Sequence, residues 1–378
     1  MLFKEITGQQ ELKKRLIQSV NDNRISHAQL FLGPEGCGKL ALAIAYIQYI
    51  NCGQRSEEDS CGTCTSCIKY NKLIHPDLHF VFPVNTSKEN TGNVSSDTYL
   101  AKWRERVTGD PYLSLNKWYE AMGIENKQGV INVNDSSEII KKLSLRPYEA
   151  GYKAMIIWMA EKMNTAASNK LLKILEEPPD KTIFILISEQ YEQLLPTITS
   201  RSQLIKIKKI REVDLIETLT TKHGISKEKA EQLTFLADGN FVTVTKLMNE
   251  NADDDFFTSS FITWMRLCFS INVPEIMEWV NELSSAGREK QKNFIDYALQ
   301  MVRESLLMNY APDKKLNKAN GSEALFLQKF APYIHGGNCL LINEELNKAV
   351  QHIERNANPK ILFLDLSLRI MKLLKHKA

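Results

Sequence analysis

Apolar runs alternate with helical stripes through the first half of the chain, and helical stripes alone fill the second. Ala28 to Leu32 is a short, mostly apolar run of the length of a buried strand, and Leu40 to Ile50 is apolar without a breaker, as a helix should be. Asp77 to Val84 and Lys153 to Met159 read as strands, with an amphipathic helix between them over Ser136 to Leu145 through Ile139, Ile140 and Leu143. A helix over Thr165 to Glu177 should stop at Pro178-Pro179, before a further strand at Thr182 to Ser188. This order predicts a parallel sheet covered by helices. Between about 85 and 130 the alternation fails, and a polar stretch leads to Tyr99, Trp103, Tyr112, Trp118 and Tyr119. It reads as an insertion with short helices, whose aromatics are expected first to pack it onto its own domain, with stacking on bases or contact with a partner protein as the alternatives.

After about residue 208 the strand signals fade. Glu212 to His223 and Lys227 to Ala237 predict a small helical unit ending at Asp238-Gly239-Asn240. The following block carries Phe256, Phe257, Phe261, Trp264, Phe269, Trp279, Leu283, Phe294 and Tyr297, then Ile361 to Leu374. These stripes read as core or helix-to-helix interface.

Length and charge add bounds rather than identity. The 378 residues suggest two to three domains, and a net charge of +3 does not by itself advertise a nucleic-acid protein. Lys372, Lys375, His376 and Lys377 form a small basic tail that reads as solvated. Met1 to Thr7 lacks a basic-then-apolar export pattern, and no run of 18 apolar residues suggests a membrane span, so the expected compartment is the cytoplasm.

Gly33-Pro34-Glu35-Gly36-Cys37-Gly38-Lys39-Leu40 follows the phosphate-loop pattern up to its last position, where Ser or Thr should hold magnesium and leucine stands instead. Gly33, Gly36, Gly38 and Lys39 retain the means to hold a phosphate, and with it ATP or ADP, while Leu40 cannot hold a metal.

Cys52, Cys61, Cys64 and Cys67 fall within sixteen residues as C-x8-C-x2-C-x2-C. Overlapping C-x2-C steps suit one tetrahedral Zn²⁺, with Cys52 as fourth ligand. The spacing alone does not exclude an iron–sulfur cluster, and a reducing compartment disfavours two disulfides. Four sulfurs close the coordination shell, so the expected role of a zinc is structural. Cys37, Cys268 and Cys339 read as ordinary small residues.

Together these motifs resemble the bacterial AAA+ clamp-loader family of DNA polymerase III, and most closely its delta-prime branch, which is related to gamma/tau. The resemblance rests on Ser26-His27-Ala28, the four-cysteine knuckle, His75-Pro76-Asp77, Leu171 to Pro179, Leu195 to Ser202 and Asn358-Pro359-Lys360. It implies an α/β N-terminal P-loop (RecA-like AAA+) domain at 1–208, with an inserted zinc knuckle at 52–67. A small helical lid at 209–252 and an all-α collar at 253–378 would follow. The partners it implies are gamma/tau and delta subunits and, through the complex, the β sliding clamp and primer-template DNA, with no membrane.

Departures from the family pattern narrow the expected role. Hydrolysing members end the strand equivalent to Lys153 to Met159 in Asp-Glu, where this chain has Trp158 and Met159, with Glu161 two residues further on. The lid arginine of active members falls at Val242. Their Ser-Arg-Cys motif survives as Ser200-Arg201-Ser202, so Arg201 is expected to act in trans as an arginine finger on a neighbour's ATP. The resemblance therefore implies a degenerate ATPase that does not turn over ATP alone. An active gamma/tau-like ATPase would require the acids and hydroxyl that Trp158, Met159 and Leu40 replace. A free-standing zinc-dependent nucleic-acid binder would require a basic face at 52–72, where Glu57, Glu58 and Asp59 offset Arg55, Lys69 and Lys72.

Overall fold

A computed structural model describes the chain apart from residues 125–126, 145, 250–252, 311–320 and 376–378; at 236, 249, 253–255, 289, 321–325 and 354 it describes the backbone alone. The expected helix end at Leu145, the domain boundary at 252, and His376 and Lys377 of the basic tail lie outside the described residues. The chain divides into two compact units, Met1–Met248 and Asn249–Ala378. The first takes in the sheet and the helices Glu212–His223 and Lys227–Ala237.

Five strands build the sheet: β1 (Ala28–Leu32), β2 (Leu78–Val81), β3 (Lys153–Trp158), β4 (Thr182–Ser188) and β5 (Gln203–Lys206). They run parallel in the order β2-β3-β4-β1-β5. Every residue of β3 and β4 is buried, which is why both appear in the sequence as near-continuous apolar runs. β5 escaped the sequence reading because it lies at the sheet edge and buries Ile205 alone, leaving Gln203, Leu204 and Lys206 exposed. The helix Lys39–Ile50 leaves the loop after β1 and is buried at all of its twelve residues.

The insertion closes on itself at its base, where Val84 and Val130 exchange both backbone hydrogen bonds (3.2 and 3.0 Å). Its aromatics face inward, as expected: Tyr99, Trp103, Tyr112, Trp118 and Tyr119 are all buried. Trp103 stacks on Phe82 at 4.2 Å, and the Trp118 indole N–H donates to the Pro83 carbonyl (2.9 Å). Burying rings of this size at about 25 cal/mol per Å² makes the insertion part of the sheet's core rather than an appendage.

In the second unit all elements among the described residues are helical. Its core stacks Trp264 on Trp279 with ring centroids 5.2 Å apart and gathers Phe261, Phe294 and Phe363 around them. Phe269 departs from the expected core stripe, since it is 46% exposed, with its ring against Tyr333 at 4.7 Å. Among the described residues no helix is long and apolar enough to cross a membrane.

Candidate functional site

The phosphate loop is built as its glycines require. Gly36 and Gly38 take φ of +70° and +88°, a left-handed backbone that disfavours side chains, and Gly38 caps the helix Lys39–Ile50. Gly33 anchors the loop by donating its N–H to the Ser188 carbonyl at the end of β4 (3.3 Å). What surrounds the loop differs from an open phosphate cradle. Lys39 is 6% exposed, and its ammonium donates to the Pro34 carbonyl (2.6 Å) and pairs with Glu189 Oε1 (3.1 Å). A β-carbon on Gly36 would lie 1.8 Å from Asn240 Oδ1, and the Phe241 N–H donates to the Gly36 carbonyl (3.1 Å). The Phe241 ring stacks on Tyr112 of the insertion at 4.4 Å, and the Tyr112 hydroxyl accepts from the Thr7 N–H (2.9 Å). Asn240, Phe241 and Tyr112 thus pack directly on the loop.

Carboxylates stand where an incoming phosphate would bring more negative charge. Glu35 takes a hydrogen bond from the Asn240 amide (3.4 Å), while Glu161 Oε1 accepts from the Glu189 N–H (3.0 Å) and its other oxygen is buried without a hydrogen-bond partner. Burial, and then the nearby Glu189 charge, pushes the carboxyls of Glu35 and Glu161 above their ordinary value. The positions expected to hold metal, base and lid cation are core instead: Leu40, Trp158, Met159 and Val242 are all buried, and Trp158 packs on Trp103 at 5.1 Å. Glu161 sits on the turn Ala160–Lys162 that follows β3.

Arg201 lies just past the short helix Pro196–Thr199. Its Nη1 donates to the Thr197 carbonyl (3.0 Å), and its Nη2 pairs with Glu176 Oε1 (2.5 Å) at the end of the helix Thr165–Glu176. The Arg201 side chain is 30% exposed and Glu176 52% exposed, so this pair borders solvent. Ser202 turns its hydroxyl back to the Ile198 carbonyl (2.9 Å), a contact that closes the local turn.

The four knuckle cysteines converge, with all four sulfurs within 4.8 Å of one another. Cys52 and Cys61 sulfurs are 3.5 Å apart and those of Cys61 and Cys67 3.9 Å. These separations are too long for disulfides and match the edge of about 3.8 Å that a tetrahedron of about 2.3 Å zinc–sulfur bonds requires. Backbone N–H groups of Cys61 and Cys64 point at the sulfurs of Cys52 and Cys61 (both 3.3 Å), and Cys64 caps the helix Thr65–Asn71. The amides of Cys64 and Thr63 hold the Cys61 thiol down at about 6, while burial pushes Cys52 and Cys67 up. The donor set fits zinc, whose charge would deprotonate the remaining thiols. Asp59, within the knuckle loop, accepts from the N–H groups of Phe3 and Lys4 (both 3.0 Å) and so ties the first residues to it.

His75-Pro76-Asp77 proves to be a clasp. Asp77 accepts the N–H groups of Tyr148, Glu149 and Ala150 (2.7, 2.8 and 2.8 Å). Burial alone would raise its carboxyl, but these three donors outweigh burial and hold it below the ordinary value. His75 accepts from the Asp77 N–H (3.1 Å) and stacks on Tyr70 at 4.5 Å.

Sequence reasoning missed Glu189, Asn240 and Glu176 as partners in these sites. One signal existed for Glu189: it follows the carboxyl end of a strand, where ligand sites of open parallel sheets collect.

Residues 8–211 match the sequence profile of the family described as "DNA polymerase III, delta subunit". The chain is 22% identical to the tau subunit of Bacillus subtilis DNA polymerase III over 96% of its own length and 60% of that protein's. It is 27% identical to the delta' subunit from the same organism, covering 66% of this chain and 61% of the relative. With the Yersinia pestis delta' subunit it shares 30% identity over 50% and 43%. The first curated relatives are longer proteins, of which the chain spans 27% to 60%. Among solved structures, a gamma-subunit-related protein of Thermotoga maritima aligns with 96% of this chain and 99% of its own, at 17% identity and a TM-score of 0.42.

Proposed function

Because the chain belongs to the DNA polymerase III delta-subunit family, we propose that it acts as a non-hydrolysing, delta-prime-type subunit of a clamp loader. On this reading its sheet unit is an AAA+ fold and its helical unit a collar. It assembles with gamma/tau and delta subunits to place the β sliding clamp on primed DNA, and it presents Arg201 to the ATP of a neighbour. The observation that carries the reading is the state of the phosphate loop, where Lys39 is committed to Glu189 while Trp158 and Met159 are part of the aromatic core. Phosphoryl transfer depends on positioning and on neutralising charge, and a site with an occupied lysine, no hydroxyl at Leu40 and an apolar strand end supplies neither.

A finger given in trans needs no nucleotide on its own chain. The planar guanidinium of Arg201 can span two oxygens of a transferring phosphoryl group and offset the charge that develops there, while the neighbour supplies magnesium and the water-orienting acid. Zinc on Cys52, Cys61, Cys64 and Cys67 would be structural, since a closed four-sulfur shell leaves no position for substrate.

The test is a loader reconstituted from wild-type gamma/tau and delta with Arg201→Ala in this chain, assembly being checked by gel filtration. DNA- and clamp-stimulated ATP turnover is expected to fall, by as much as about 10³ to 10⁵ at the site served. Wild-type turnover in an intact ring would reduce the subunit to a scaffold. Turnover by the isolated chain that Lys39→Ala abolishes would overturn the non-hydrolysing assignment.

A further inference from the structure

The geometry points to Glu176 as a positioning residue that holds Arg201 folded back on its own chain until a neighbour's polyphosphate takes its place; the inference rests on the trans-acting role proposed above. Both terminal nitrogens of the guanidinium are engaged within the chain, Nη1 by the Thr197 carbonyl and the Ser200 hydroxyl (3.0 and 3.4 Å) and Nη2 by Glu176. The Nε is buried and has no hydrogen-bond partner. A planar fork grips a phosphate through paired N–H groups; with both Nη1 hydrogens engaged, Nε buried and one Nη2 hydrogen on Glu176, this pose presents no free outward-facing pair. The Thr197 and Ser200 contacts are local, made to the same turn that carries Arg201. Glu176 comes from another helix, and it is the contact whose loss would free the side chain to swing outward.

Exposure makes this restraint exchangeable. With the Arg201 side chain at 30% and Glu176 at 52% exposure, water competes for both charges, and an ion pair of this kind biases a conformation by roughly two- to fivefold. A polyphosphate carries more charge than one carboxylate and offers several acceptor oxygens, so it displaces Glu176 when a correctly docked neighbour brings it within reach. A single free anion of low charge competes less well. Glu176 would thus keep the finger from stray anions and bias it toward release in the assembled ring.

Two readouts test this on the full chain. In the isolated subunit, the rate at which phenylglyoxal modifies Arg201, followed by peptide mass spectrometry, should rise roughly two- to fivefold in Glu176→Ala and less in Glu176→Gln, which keeps an acceptor oxygen. In the reconstituted loader, Glu176→Ala should raise basal ATP turnover by a similar factor and leave turnover at saturating clamp and DNA unchanged. Thermal melts of both variants should match wild type, because Glu176 lies at an exposed helix end. Unchanged reactivity and basal turnover would overturn the restraint, and reduced turnover would show that Glu176 instead orients the finger for catalysis. The variant Arg201→Ala separates the two ideas: if it is silent, the trans-acting role fails and this inference with it. If it lowers turnover while the Glu176 variants change nothing, only the restraint fails. The double variant should behave as Arg201→Ala.

Discussion

Lys39 and Arg201 are both cations held by a glutamate of their own chain, and their surroundings give the two pairs opposite capacities. The Lys39 side chain is 5% exposed and Glu189 25%, against 30% and 52% for Arg201 and Glu176. Removing one partner of a buried pair strands a charge in a poorly solvated place, at a cost of up to about 3 to 5 kcal/mol. An exposed pair commonly contributes only about 0.2 to 1 kcal/mol. The first pair therefore behaves as a structural joint between the phosphate loop and the end of β4, whereas the second can be exchanged at thermal energies. On the proposed reading, chemistry directed at a neighbour is kept where exchange is easy, while the loop for the chain's own nucleotide is part of the packing.

The largest expected effect acts on one side of this contrast only. The knuckle holds Phe3 and Lys4 through Asp59, and Thr7 a few residues on binds Tyr112, which packs beside the phosphate loop. Structural zinc can contribute on the order of 10 kcal/mol to folding a small module, so Cys64→Ala should abolish stoichiometric metal binding and strip hydrogen-exchange protection from residues 52–72 and 1–8. Protection around Arg201 should not change. Elemental analysis of the wild-type chain should find one zinc; iron with visible absorbance, or no metal, would remove this prediction.

Next in size comes Arg201→Lys in the reconstituted loader. An ammonium keeps the charge but loses the fork, and turnover should recover only a small part of what Arg201→Ala removes. Full rescue would mean that Arg201 acts as a simple point charge. A smaller effect is expected at the sealed site: Glu189→Gln removes one carboxylate beside Lys39 and should raise ADP affinity about tenfold, roughly the 1.4 kcal/mol of one decade. Calorimetry with and without magnesium measures it, and adding Lys39→Ala should cancel the gain. Equal affinity in wild type and Glu189→Gln would show that the pair is no barrier.

The smallest effect is a pH dependence of opposite sign at two places. The raised carboxyls of Glu35 and Glu161 bind protons more readily in the folded chain. Their contribution to stability is fully present below the ordinary value of 4.5 and is lost as pH rises through the raised folded values. Amides 35–39 should therefore exchange more slowly, once corrected for intrinsic rates, as pH is lowered toward 4.5. Asp77 runs the other way, since its lowered carboxyl contributes above 3.8 and stops contributing as pH falls through the folded value, so amides 148–150 should lose protection only in strong acid.

Much of this molecule was legible because its signals are local. The phosphate loop and the cysteine knuckle are set by spacing over a few residues, and the buried strands by unbroken apolar runs. The insertion was legible as a failure of alternation, and its aromatics pack inward as their size demands. What could not be read is pairing across the chain. Lys39 meets Glu189 150 residues away, Gly36 meets Asn240, and Arg201 meets Glu176, and no periodicity encodes any of these. Asn240 was visible only as a helix boundary, a role it does fill by accepting from the Val242 and Thr243 N–H groups (2.9 and 3.2 Å). β5 was missed because an edge strand with one buried residue has no apolar run to display.

The helix Lys39–Ile50 is buried on all sides, and beyond Lys39 its sequence Leu-Ala-Leu-Ala-Ile-Ala-Tyr-Ile-Gln-Tyr-Ile carries no charge. Such a segment has no solvated face to protect it while the chain is being made. It leaves the ribosome before β3 and β4, the central strands it must cover, have been synthesised, and for that interval it is the natural target of chaperones and the natural seed of aggregation. Yield of folded protein should thus depend on synthesis rate and temperature more than on the stability of the finished fold, and a charged residue placed on this helix would ease the first problem only by ruining the second.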